Sequence, residues 1–259
     1  MIKSAAFGLL ASFLVLADGS AQAGYAPQVP STSPPGVADF KQDNTLAEVA
    51  QSYCARGLER FLPGSYYYCV GRRALANGHP AKSVAALEQA ARWASKQAQF
   101  LLGVGYLKGD NAPLDRARGL AWLALAAERK DVVYLGVLKS ALAQASDAEK
   151  ARGNALYEAM FSTYADDVAA RRAERRFQRE RDMLVRNEAF GVEVCIAGLN
   201  VFQIEAAWDI GGRENNFCPS RQPVWQVAQR VDVYAAQLFQ GWAGHVTVGD
   251  LQKLSRQGK

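Results

Sequence analysis

Ala90-Ala91 recurs thirty-six residues later as Ala126-Ala127, Leu87 as Leu123, and the small residue Ser83 as Gly119. A fixed period of this size marks a helical solenoid, in which each hairpin buries its apolar face on the next. From Thr45 to about Arg186 apolar residues recur at helical spacing, rich in alanine and poor in β-branched residues. Turn signals interrupt the pattern at Pro63-Gly64, Gly78-His79-Pro80, Gly109 to Pro113 and near Ser146. Small residues at the repeated positions let two helices approach closely, while Leu102, Tyr106, Leu120 and Trp122 fill the wider gaps. The expected fold is mainly α: a short α-solenoid of helix hairpins over residues 44–186, closing in a long helix, then a small α+β C-terminal cap over 187–259.

The stretch from Ala98 to Ala127, AQFLLGVGYLKGDNAPLDRARGLAWLALAA, resembles one Sel1-like repeat, a relative of the tetratricopeptide repeat with a longer loop inside the hairpin. The matching positions are Ala98, Leu102-Gly103, Tyr106 and Gly109 in the first helix and loop, then Asp115, Arg118-Gly119, Trp122 and Ala126-Ala127 in the second. The family usually carries Lys-Ala where this chain has Arg118-Gly119. The best repeat runs over 98–131. Upstream, KSVAALEQAA from Lys82 resembles the second helix of a preceding unit, whose first helix is closer to a plain tetratricopeptide hairpin. Downstream, Tyr134-Leu135-Gly136 opens a third unit, and Asp147, Lys150 and Ala151 echo the start of its second helix without the tryptophan. The resemblance implies an adaptor or scaffold without catalysis of its own. It binds a protein through a face built from first helices, with Tyr66, Arg73, Gln99 and Lys108 as the expected contact positions.

Residues 1–23 read as a cleavable secretory signal peptide. Lys3 precedes the uncharged run Ala5 to Leu16, and Ala21-Gln22-Ala23 is a small-x-small cleavage site. That run is shorter than the roughly 20 residues needed to span a bilayer. Residues 24–43, with Pro27, Pro30, Pro34 and Pro35, read as a flexible leader. An exported chain with an even number of cysteines is expected to oxidise them. Cys54 and Cys69 lie about equally far from the turn at Leu62-Pro63-Gly64 and would face each other across a hairpin, leaving Cys195 and Cys218 to staple the C-terminal region. A metal site is not expected: no CxxC pair exists, and His79 and His245 lie in other segments. The partner is then an envelope or extracellular protein, periplasmic or secreted with it, and not a nucleic acid. No cofactor is implied.

Three further features carry functional alternatives. Arginines recur from Arg171 to Arg186 among Glu174, Glu180 and Asp182. Such a stripe could touch a membrane surface, but the interspersed acids point instead to a solvated helix face with pairs such as Arg176 and Glu180. In the last seventy residues Gly191 to Ala197 and His245 to Gly249 alternate like strands around a helical stripe from Val224 to Trp242. Glu193, Asp209, Glu214 and Arg221 could line a ligand-binding or catalytic pocket there, with the repeats as a mount. Against catalysis, the chain has no G-x-S-x-G, HExxH or P-loop. Asp166-Asp167 point about 100° apart on a helix, and Tyr66-Tyr67-Tyr68 divide between core and surface.

Overall fold

The computed structural model describes residues 49–50, 54–186, 191, 193–194, 221–240 and 242, all within the second of two units that divide after Asp43. The signal sequence, the proline-rich leader, Cys195, Cys218, Asp209, Glu214, His245 and the strand expected around it lie outside the described residues. The described chain is mainly helical with a small two-stranded sheet. Its helices are α1 (Leu58–Phe61), α2 (Pro63–Ala76), α3 (Pro80–Arg92), α4 (Lys96–Lys108), α5 (Arg116–Ala126), α6 (Val132–Gln144), α7 (Asp147–Tyr164), α8 (Asp166–Arg186) and α9 (Val224–Phe239). A single 3-10 turn, Ala127–Arg129, extends α5.

Helices start where the sequence offers an acceptor to free backbone N–H groups. Ser95, Asp115 and Asp131 each cap the helix that follows, and Ser146 forms a reciprocal capping box with Glu149. Asp115 accepts from the Arg118 amide at 3.0 Å. Pro63 and Pro80 occupy first turns, where a missing N–H costs nothing.

The pairs α2/α3 and α4/α5 are built alike. Gly71 in α2 and Gly103 in α4 each lie against a leucine of the second helix, Leu87 and Leu123 respectively. A Cβ on either glycine would stand 2.8 Å from that leucine's side chain. First-helix positions are offset by thirty-two residues and second-helix positions by thirty-six. The four-residue difference is the loop, which runs from Asn77 to His79 in the first hairpin and from Gly109 to Asp115 in the second. The period also reaches the backbone. Ala94 (φ 63°) and Lys130 (φ 58°), thirty-six residues apart, end the second-helix segments in the left-handed conformation. Lys130 is exposed, so Lys130→Gly removes a side chain from a conformation that disfavours one, and stability rises by about 0.5–1 kcal/mol in denaturant titration.

Gly119 in α5 makes the tightest approach. A Cβ there would meet Leu107 Cγ at 2.7 Å and the carbonyl oxygen of Gly103 at 2.9 Å. Gly119→Ala is expected to cost about 1–3 kcal/mol in chemical unfolding, because the backbone of α4 has to move. The first hairpin tolerates the larger Ser83 at the matching position, where it is fully buried.

The third unit departs from the pattern. Helix α7 packs on α5 rather than closing a hairpin with α6. Gly153 of α7 brings it to α5, where a Cβ would meet the Ala117 carbonyl oxygen at 3.3 Å. Gly136, in the position of Gly103, has no described atom within 4 Å of where a Cβ would lie. The main core gathers between α3, α4, α5, α6 and α7 around Leu102, Leu120, Leu123 and Leu138. Trp122 sits edge-on to Tyr164 at 4.7 Å.

Helix α8 returns the chain to α1 and carries α9 on its flank. Arg60 of α1 donates to Glu180 at 3.0 Å, Arg181 pairs with Asp232 of α9 at 2.9 Å, and Phe177 meets Phe239 edge-on at 5.6 Å. A second core forms here from Phe61, Leu62, Leu184, Val227 and Val231. The strands β1 (Glu193–Val194) and β2 (Gln222–Pro223) pair antiparallel, Glu193 opposite Pro223. Cys54 and Cys69 form a disulfide with Cα atoms 5.7 Å apart. One arm of that hairpin is not a long helix: residues 54–57 turn into the single-turn α1.

Candidate functional site

The first helices present aromatic side chains in register. Tyr68 and Phe100 stand three residues before Gly71 and Gly103, so they occupy matching positions on α2 and α4. Tyr134 of α6 stacks on Phe100 with ring centroids 4.5 Å apart. All three are half-buried, each backed by the core and open on one side. Burial, with Asp131 and Tyr68 adding to it, pushes the Tyr134 hydroxyl up to about 12, so it stays a hydrogen-bond donor at any physiological pH. Rigid, amphipathic rings of this kind are enriched at protein-binding surfaces.

Beside Tyr68 lies a cavity of about 330 Å³ between the start of α2, the turn joining α3 to α4, and the end of α9. Arg129 stands in its wall with the guanidinium 4.4 Å over the ring of Trp242. Behind Arg129 is a buried set of charges. Lys96 is 4% exposed, and its ammonium group donates to Gln99 Oε1 (3.0 Å), to the Leu125 carbonyl (2.8 Å) and to Glu128. It also lies 3.1 Å from Asp166 Oδ1. Arg129 grips Asp166 with two hydrogen bonds, of 2.7 and 2.9 Å, and donates to the Ala94 carbonyl at 3.1 Å. Glu128 accepts from the Asp166 amide at 3.0 Å.

The two carboxylates respond differently to this setting. Burial pushes Glu128 above the ordinary range, against the attraction of Lys96. Burial also acts on Asp166, but the Arg129 hydrogen bonds and the charge of Lys96 outweigh it and hold the carboxyl below its usual value. Two cations and two anions leave the cluster close to neutral. Its donors are spent on fixed partners, so its work is to lock α4, the 3-10 turn and the start of α8 together.

The four expected contact positions do not converge. Gln99, expected on the contact face, is instead a core residue, 0% exposed: its amide donates to the Tyr164 carbonyl at 2.9 Å and its oxygen accepts from Lys96. Lys108 is exposed in the last turn of α4, whereas Tyr66 is half-buried at the start of α2, edge-on to Tyr67 at 5.2 Å. Arg73 is half-buried in the last turn of α2. The repeat-motif residues Ala98, Leu102, Tyr106, Trp122, Ala126 and Ala127 are all buried, and the Arg118 guanidinium lies 5.3 Å over the Tyr106 ring. Asp166 and Asp167 separate as the helix geometry requires, Asp166 into the charge cluster and Asp167 to the surface.

Much of the arginine stripe is engaged in packing α8. Arg172 donates to the carbonyls of Arg92 and Thr163, Arg176 to that of Arg60, and Arg181 holds Asp232. Glu193 in β1 and Arg221 just before β2 are both exposed. Sequence reasoning missed Lys96, Glu128, Arg129 and the in-register pair Tyr68 and Phe100. The pair was available from the offset of thirty-two residues once the shorter first loop is allowed for.

Fold and site together define a mainly helical, disulfide-bonded protein with an aromatic first-helix face beside a cavity. Comparisons with family models, with curated proteins and with solved structures found no match.

Proposed function

We propose that this protein is an exported, non-enzymatic scaffold of the Sel1-like, tetratricopeptide-like kind, a short α-solenoid with a small C-terminal cap, which holds another envelope protein on its first-helix face. The observation that carries this reading is the set of half-buried rings Tyr68, Phe100 and Tyr134 on α2, α4 and α6, with Phe100 stacked on Tyr134. Supporting export are the charged, apolar and small-x-small order of residues 1–23 and the Cys54–Cys69 disulfide, which persists in oxidising compartments. No helix among the described residues is long and apolar enough to cross a membrane.

The test is affinity capture from the envelope fraction with oxidised protein, comparing three baits. The double variant Tyr68→Ser, Phe100→Ser is expected to lose a specifically retained protein by tenfold or more, on the order of 1.4 kcal/mol or above. Trp225→Ser, which removes an indole 52% exposed on α9, retains it. Equal capture by the double variant, with its circular dichroism unchanged, would move the binding face elsewhere.

A further inference from the structure

The cavity beside Tyr68 has a chemistry of its own, and its assignment stands independently of the protein-binding reading. Its volume, about 330 Å³, lies at the small end of ligand pockets, with room for a single small ring. Half-buried Trp93 supplies an aromatic wall. Exposed Gln97, Gln237 and Gln240 ring the mouth, each amide offering both a donor and an acceptor. Trp242 lines the same space, 8% exposed, and its Nε1 is buried with no hydrogen-bond partner among the described residues. Folding rarely leaves such a donor unsatisfied, so it marks a place where an acceptor is wanted. The Trp242 ring already packs on Phe239 at 4.6 Å and under Arg129, which leaves Trp93 as the stacking surface.

Charge decides the ligand class. Among the described residues Arg129 is the one ionised side chain lining the cavity, and both its Nε and Nη2 are committed to Asp166. An anion entering here meets a neutralised ion pair and gains little Coulombic energy. A neutral ring carrying hydroxyl groups gains more: its apolar face covers Trp93, and its hydroxyls exchange hydrogen bonds with the glutamine amides. We infer that the cavity formed by Trp93, Trp242, Arg129 and the three glutamines is a binding subsite for one uncharged sugar unit of a glycan.

The experiment titrates the oxidised full chain with glucose, with N-acetylglucosamine and, at matched ionic strength, with sodium acetate, following tryptophan emission and titration heat. At least one sugar is expected to saturate the signal with a millimolar Kd that salt hardly changes, and acetate to give no saturation. Trp93→Ala keeps the Cβ that packs against Gly64, so the fold survives while sugar affinity drops about tenfold, the loss of one stacked ring. Trp225→Ala, which removes an indole away from the cavity, leaves the affinity unchanged. No saturation by either sugar up to about 100 mM, far above a millimolar Kd, overturns the assignment. So does unchanged affinity in a folded Trp93→Ala protein, and so does tighter, salt-sensitive binding of acetate.

Discussion

Replacing Lys96 by methionine destabilises the protein by about 3–5 kcal/mol at neutral pH, the loss expected when one partner of a buried ion cluster is removed and the other stays charged. Methionine matches the length of the lysine stem, so the change is one of charge and hydrogen bonding more than of volume. Glu128 loses the cation that opposes its desolvation, and Gln99 and the Leu125 carbonyl each lose a donor. The pH dependence separates this cause from a packing defect. In the variant the Glu128 carboxyl titrates even further above its unfolded value than in the parent. A group raised in the folded state favours folding below its unfolded pKa and loses that contribution as pH rises through the folded pKa. The gap between parent and variant in urea titrations should therefore be widest near pH 8 and narrow towards pH 4, where Glu128 protonates. A gap of constant size across that range would mean that the charge cluster is not the cause.

Breaking the Cys54–Cys69 bridge, by reduction or by Cys54→Ser with Cys69→Ser, is expected to cost about 3 kcal/mol. A crosslink closing a loop of roughly fifteen residues removes about that much chain entropy from the unfolded state. The loss is not spread evenly. The bridged segment contains α1 and the residue after it, and Phe61 and Leu62 are buried with Leu184, Val227 and Val231 in the smaller of the two main cores. Arg60 of the same turn holds Glu180, and its carbonyl accepts from Arg176 at 2.9 Å. Freed of the bridge, this turn releases its grip on the C-terminal half of α8. Hydrogen exchange should accelerate first in 54–62 and 177–186, while amides of α4 and α5 keep their protection. Uniform acceleration across all helices would show that the bridge acts globally.

These two effects also divide what the chain announced from what it concealed. Helices and the doubled hairpin were legible because they depend on local chemistry: glycine and proline at the turns, apolar residues at helical spacing, small residues where helices touch. Cys54 and Cys69 were legible for the same reason, being equidistant from a turn. Residue spacing is silent about partners brought in from afar. Gln99 reads as a polar surface position until Tyr164, sixty-five residues on, supplies the carbonyl that satisfies it. Lys96, Glu128 and Asp166 each look like ordinary surface charges, and only the stacking of α4, α5 and α8 makes them a cluster. The third hairpin misled in the same way. Leu135-Gly136 copies Leu102-Gly103, yet no second helix comes back to it, because Gly153 gives α7 a closer fit on α5.

Helix α8 has a consequence for how such a protein could change over time. Its twenty-one residues span roughly 30 Å, anchored at one end by Asp166 in the charge cluster and near the other by Glu180 on Arg60. A stack that is free at its ends lengthens by duplicating a unit, as a staircase gains a step. Here a rigid ruler joins the last hairpin back to the first turn, so an added unit would leave it too short to reach. The span of the helical stack is thereby held constant, and change has to come from exchanging side chains on existing helices rather than from adding more of them.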